Sequence, residues 1–455
     1  MSRVAVVAPD GRTREALLAI AGAGDVELDE PITNGEPEGS AAAALRRAGG
    51  APAGPARLCA VPPDLDDLVT RGRTDLIAGE AELQRVAADA VDEAGVRVWT
   101  GWCPTGSVPA LAARLARADA SLAPLPRPAG VDPPTLLHAG TPLRESFAPL
   151  VRTYGTVPYA DVDPTLLSGL AYVVMFGMMF ADAGHGLILL LAALLLRFGR
   201  VKRLQRLRRH WPFVAGAGLA SAAAGIAFGE FFGPTGVLPV LWLSPLDEPV
   251  QLLAAGVGLG AVLLAAAYLV GTVNRWREGG PRRSLYAPTG AAGAILFLGL
   301  ATLAAGLYLG RWSIAGPGAV AALVALALCA AGLYAAAGGG AAGVAQTGVQ
   351  LFDLVLRIGA NVVSFARLAA FGLTHAALGA LVWAGTVALW HHGGAAVAAA
   401  VAVLVLGNAL TFGLEALVAG VQALRLEYYE LFSRVFELEG RPFHPWALHV
   451  EGEPT

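Results

Sequence analysis

Four ionisable residues stand deep inside the two longest apolar stretches of this chain. Arg367 and His375 lie in DLVLRIGANVVSFARLAAFGLTHAALGALVWAGTVALW, and Glu415 and Arg425 in LGNALTFGLEALVAGVQALRLEYYELFSRVFELEGRPFHP. Each stretch is about 40 residues, or about 60 Å as helix, so it must tilt, protrude or both. Insertion scales charge about 2.5–3.5 kcal/mol for an arginine at mid-membrane. Arg367 therefore needs a partner or a water-filled cavity, and no acid lies one turn away from it. His375 follows Arg367 by eight residues, and Arg425 follows Glu415 by ten. Either spacing is about 80° of rotation, so each pair lines one broad helix face. A carboxylate and an imidazole exchange protons, whereas a guanidinium stays charged. Plainer readings of the same residues remain open. Arg425 snorkels to the surface, Glu415 is a structural carboxylate paired to Arg425, or His375 is a neutral hydrogen-bonding core residue.

These residues need membrane helices to hold them. Apolar blocks run over 164–196, 211–232, 250–274, 289–310, 314–337, 351–390 and 394–433. A bilayer core is spanned by about 20 apolar residues. The first block would make a helix of about 50 Å, too long for a single crossing. Asp182-Ala183-Gly184-His185-Gly186 interrupts it, so a helical hairpin is expected there, with Asp182, Gly184, His185 and Gly186 at its turn. That makes about eight crossings, the last two long and tilted. Seven Lys or Arg fall between Arg197 and Arg209, and Arg275, Arg277, Arg282 and Arg283 occupy a later loop. The alternate loops 231–249, 311–314 and 391–394 hold only Arg311. The positive-inside rule then puts both termini in the cytoplasm of a multi-pass cell-membrane protein.

Composition agrees with this division. The 455 residues are 55% hydrophobic and 15% charged, against about a quarter charged in soluble domains. Most Asp and Glu fall before residue 160. The expected organisation is a cytosolic α+β domain over 1–160, an ion-translocating transmembrane domain over 161–440 and a short cytoplasmic tail over 441–455. Within the first, residues 4–8 and 25–28 read as strands flanking a helix at 13–23, a βαβ-like start. Residues 34–55 read as loop with one short helix, 65–93 as helical, 96–102 as strand, 108–118 as helix, and the Pro-rich 119–162 as an extended connector. The net charge of −3 carries no nucleic-acid footprint. Cys59, Cys103 and Cys329 form no CxxC pair, so neither a disulfide framework nor a zinc site is expected. The first residues hold no apolar run long enough for a signal peptide. The lone lysine, Lys202, sits in KRLQR, so no phosphate-binding GxxxxGK[ST] loop exists, and nucleotide is left to a partner. No metal or cofactor is expected. On the residues alone, a proton-coupled secondary transporter and a membrane scaffold whose intramembrane charges are assembly locks also remain open.

Three segments resemble subunit a, also called subunit I, of the V/A-type rotary ATPases. YGTVPYADVDPTLLSGLAYVVMFGMMFADAGHGLILLL is similar to that family's entry into its first hairpin. SFARLAAFGLTHAALG resembles its arginine helix, where an essential arginine faces the rotor and a histidine follows eight residues on; Arg367 and His375 match. LEALVAGVQALRLEYYE resembles its second long helix, where a glutamate precedes a second arginine by ten; Glu415 and Arg425 match. VAVVAPD and VWTGWCP resemble the cytosolic lobes. The resemblance implies a non-catalytic stator subunit forming two proton half-channels against a rotor c-ring and coupling ion movement to ATP hydrolysis or synthesis. Its partners would be the proteolipid ring, the peripheral stalks, the central-stalk socket subunit and the lipid bilayer. Arg367 would meet the rotor carboxylate with Arg425 in support, His375 and Glu415 would line the external half-channel, and Asp353, Asn361, Glu427 and Glu430 are candidates for the cytoplasmic one. The family's long coiled-coil arm is expected to be strongly shortened here.

Overall fold

A computed structural model describes residues 1–29, 39–52, 54–128, 131–136, 141–199, 202–436 and 440–451. The loop expected over 34–55 falls partly outside these residues, as do positions 200 and 201 of the basic segment and 452–455 of the tail. The chain divides into two compact units, Met1–His138 with Gly440–Thr455, and Ala139–Glu439.

The first unit is built on a four-stranded antiparallel path. In chain order its elements are β1 (Ser2–Pro9), α1 (Thr13–Ala23), β2 (Glu27–Leu28), α2 (Ser40–Arg47), β3 (Arg57–Cys59), α3 (Leu65–Thr70), α4 (Thr74–Ala88), β4 (Val91–Glu93), β5 (Val96–Cys103), α5 (Val108–Ala116), β6 (Ser121–Leu125) and, from the tail, β7 (His449–Glu451). The strand order is β2-β5-β1-β6, with β4 paired to β5. The β1–α1–β2 crossover spans β5, and β5–α5–β6 spans β1, which is the ferredoxin-like split βαβ arrangement. Val4, Val6, Leu17, Ile20, Trp99, Leu111 and Leu115 fill its core. The stretch expected to be helical over 65–93 is broken twice. Gly72 turns at φ 67°, and β4 turns into β5 through Ala94 and Gly95, both at positive φ (54° and 80°) as a two-residue hairpin requires. Residues expected to be extended over 119–162 include β6 and a helix, α6 (Pro142–Tyr154). Pro142 opens that helix where a missing N–H costs nothing, and the Thr141 side chain accepts from Arg144 N.

A bidentate ion pair joins α1 to α4. Arg14 Nη1 and Nη2 donate to Glu80 at 2.8 and 2.6 Å, and Nη2 also donates to Cys59 O at 2.8 Å. Glu80 is buried. Removing one partner of such a pair strands the other, so Glu80→Ala should destabilise this unit by on the order of 3 kcal/mol. In hydrogen–deuterium exchange of the full chain, amides of α1 and α4 should exchange roughly a hundredfold faster than in wild type. Unchanged protection there would mean the pair adds nothing to stability.

The second unit is helical: after α6 come α7 (Thr165–Met179), α8 (Ala183–Phe198), α9 (Trp211–Phe228), α10 (Pro249–Tyr286), α11 (Ala291–Tyr308), α12 (Trp312–Ala336), α13 (Gly340–Ser364), α14 (Ala366–Trp390) and α15 (Ala395–Leu426). A π-helical turn, Glu427–Phe432, continues α15. Among the described residues, six stretches are long and apolar enough to cross a membrane: Leu207–Phe228, Pro249–Tyr286, Ala291–Tyr308, Trp312–Ala336, Gly340–Trp390 and Ala395–Val435. The remaining two of the expected crossings correspond to α7 and α8, of 15 and 16 residues. The last two stretches run 51 and 41 residues, about 77 and 62 Å at the α-helical rise. The first of them starts earlier than its apolar block, at Gly340, the last of three consecutive glycines at positive φ.

The chain reverses within the first apolar block, at Phe180–Asp182. Gly184, His185 and Gly186 are not the turn; they form the first turn of α8, because Asp182 caps that helix by accepting from His185 N at 2.9 Å. Both arms pack on α9. Gly177 of α7 meets Ala220 and Val173 meets Gly216, a parallel run, whereas on α8 Gly186 meets Ala222 and Ala183 meets Gly225, an antiparallel one. A Cβ on Gly186 would collide with Ala222 N, which is why the helix start needs glycine there. Arg275, read above as a loop charge, lies inside α10, buried and 2.6 Å from Glu278.

Candidate functional site

Helices α14 and α15 pack against each other and against α7, and α14 also packs on α10. This pairing brings His375 and Glu415 together: His375 Nδ1 and Glu415 Oε2 form a close hydrogen-bonded pair. Glu415 thus partners His375, not Arg425. The first turn of α8 joins them. The rings of His185 and His375 meet edge-on, 5.5 Å between centroids, and Phe180 lies 5.0 Å from His375. Phe412 packs 5.6 Å from His185. Asp182 is buried and holds the corner, with Oδ1 accepting from His185 N and Oδ2 from Gly233 N, each at 2.9 Å. Ser221 Oγ donates to Phe180 O, which also accepts from Asp182 N at 3.0 Å, where α7 ends. Glu230, also buried, sits in the segment after α9, and its backbone O accepts from Ala183 N at 3.0 Å.

A second group lies at the other end of the long helices. Arg367 is eight residues before His375, about 12 Å along α14. Its Nη1 is buried without a hydrogen-bond partner. Glu430, on the π-helical turn, is within electrostatic reach of both Arg367 and Arg425 and stands beside Ser364. Arg425 itself is exposed. The π-helical turn carries both Glu427 and Glu430; such turns re-aim side chains and recur at functional sites.

The remaining candidates are dispersed. Glu427 is fully buried and turns toward α7 and α10, where a pocket is lined by Ser168, Ala171, Leu263 and Ala267. Asp353 is exposed on α13 and pairs with Arg357 one turn on. With its amide oriented to suit both neighbours, Asn361 accepts from Arg434 Nη2 at 2.9 Å and donates to Arg357 O at 3.1 Å. Arg434 is buried with its guanidinium 5.5 Å from the Tyr268 ring centroid. Asn274 of α10 locks this end, accepting from Val162 N at 3.0 Å and donating to Val435 O at 3.2 Å.

The sequence reading left out Glu230 and Arg434 as site residues and took Asp182 and His185 as turn residues only. For Glu230 a signal was present, a lone carboxylate in the apolar run AFGEFFGP. The partnership of Asp182 and His185 with His375 had none, since it depends on how α8 meets α14.

Residues 88–210 match the V-type ATPase 116 kDa subunit family. The chain is similar to the A-type ATP synthase subunit I of Aeropyrum pernix, 27% identical over 421 residues, covering 82% of this chain and 58% of that protein. It is similar to the subunit I of Pyrococcus horikoshii at 26% over 318 residues, 67% of this chain and 46% of that one. For Halobacterium salinarum the figures are 26% over 384 residues, 69% and 51%. The chain spans about half the length of the curated relatives it matches.

Proposed function

The chain belongs to the V-type ATPase 116 kDa subunit family, and from this premise we propose that it is the membrane-embedded stator subunit of a V/A-type rotary ATPase. In this reading α14 and α15 form the wall against a rotor ring of proteolipid subunits, and two aqueous half-channels end on that wall without meeting. The observation that carries it is Arg367: a guanidinium with an unmet buried donor, within electrostatic reach of Glu430, on the longest of the apolar helical stretches described. Such a donor suits a carboxylate arriving from a moving partner. The fixed charge favours the ionised rotor carboxylate and repels a proton leaking straight through.

His375 and Glu415, with Asp182, His185 and Glu230 around them, serve as the external half-channel. Glu430 delivers protons on the cytoplasmic side of Arg367, and both termini are cytoplasmic. ATP is made or hydrolysed by partner subunits, and the first unit meets the peripheral stalks and the central-stalk socket subunit.

The test is ATP-driven acidification of inverted membrane vesicles carrying wild type or Glu415→Gln, with the assembled complex quantified by pull-down. Removing a proton-transfer group should lower acidification on the order of a hundredfold at equal assembly. An assembled Glu415→Gln complex that acidifies at the wild-type rate would remove Glu415 from the path.

A further inference from the structure

We propose that Asp182, His185 and His375 form a binding site for a divalent transition metal of the zinc class. One donor atom from each lies within 4.8 Å of the others, and all three residues are buried. His185 is 2% exposed, yet both of its ring nitrogens lack a hydrogen-bond partner. Leaving buried imidazole nitrogens unmet is costly, and a coordinated ion would satisfy one of them. Two imidazoles and a carboxylate select a first-row ion such as zinc over magnesium or calcium, and three protein ligands leave one position open. Both Asp182 oxygens already accept a backbone N–H, but a carboxylate has about four lone-pair sites, so donor capacity remains.

Glu415 completes the arrangement. It holds Nδ1 of His375, the placement of an outer carboxylate that fixes a ligating imidazole. Two carboxylates also offset the positive end of α8 that points into the site. An ion bound here would hold both imidazoles neutral and stop His375 from passing protons. That consequence rests on the translocation reading above; the binding itself does not.

The experiment is zinc titration of the chain purified in detergent without a histidine tag, with cobalt absorption bands as a second readout of coordination. One equivalent should bind to wild type. Asp182→Asn keeps a capping oxygen for α8 and removes the charge, so it should stay folded while binding zinc roughly tenfold or more weakly. His185→Gln should weaken binding by about a hundredfold or more. The exposed neighbours His391 and His392 supply the control, because replacing both by Ala should leave the equivalent in place. Absence of binding to wild type overturns the proposal. So does binding that survives His185→Gln and disappears with the His391 and His392 replacements. If one equivalent binds as described and zinc leaves vesicle acidification untouched, the metal site stands and the channel role of His375 fails.

Discussion

Arg367→Gln should abolish ATP-driven acidification while the complex still assembles. The guanidinium is the one group on α14 that couples a permanent charge to an unmet buried donor. Glutamine retains hydrogen-bonding capacity and loses the charge. In the proposed stator, a rotor carboxylate would then have no fixed cation to ionise against, and the barrier to a direct leak would fall with it. Loss of a buried charge partner is on the order of 3 kcal/mol, about a hundredfold per encounter, and a rotary cycle repeats that encounter at each rotor site. Arg367→Lys keeps the charge but loses the planar fork that grips a carboxylate with two donors, so it too should lose nearly all coupling. Acidification in inverted vesicles, normalised to pulled-down complex, reads both. An unchanged gradient in the glutamine variant would make Arg367 structural and reopen the transporter and scaffold readings.

Gly225→Val should have the largest effect on the fold of the second unit. A Cβ there would collide with Ala183 N and lie 2.5 Å from Asp182 C, both backbone atoms of the α8 start. Backbone does not step aside as a flexible side chain does. Relief requires α8 and α9 to separate, which unseats the Asp182 cap and the Ser221 bond to Phe180. Overpacking alone is worth about 1–3 kcal/mol and the lost cap about 1 more. The detergent-purified variant should therefore melt markedly lower or fail to elute as a single species. Gly258, on α10 with open space around its Cα, is the matched control, and Gly258→Ala should be neutral or slightly stabilising. Equal stability of the Gly225 and Gly258 variants would mean the α8–α9 contact is not close-packed.

The long helices were legible because their signal is local. Apolar length alone marks them, and the spacing of Arg367, His375, Glu415 and Arg425 fixes their positions along α14 and α15. The first-block reversal was legible as an event but not in its place. Gly184 and Gly186 look like turn residues, yet Gly186 serves the close passage of Ala222 on α9 and Gly184 makes room for the Phe232 ring, demands set by tertiary packing. Arg275 misled for a related reason: an arginine near an apolar boundary reads as loop charge unless its burial with Glu278 is known. In the first unit, the alternation of β1 and β5 and the helix at 13–23 were visible. The split βαβ order was not, since β5 enters between β1 and β2 only after the intervening α2–β4 segment. Among the site residues, Glu415 was readable as an intramembrane carboxylate. Its choice of His375 over Arg425 was decided by the way α14 and α15 pack.

The tail of the chain is woven into the first unit. Thr135 N donates to Arg441 O at 2.7 Å, Trp446 N to Val26 O at 2.7 Å, and Trp446 Nε1 to Glu82 at 3.0 Å. Strand β7 then pairs in parallel with β3, Leu58 opposite Val450. During synthesis the ribosome must therefore deliver every apolar helix before β3 acquires its partner. The sheet of β1, β5 and β6 can close early, whereas β3 waits with an unpaired edge through the whole of membrane insertion, a long-separation contact of the kind that forms slowly. A strand that follows every apolar helix in the chain completes a unit whose other strands precede them all.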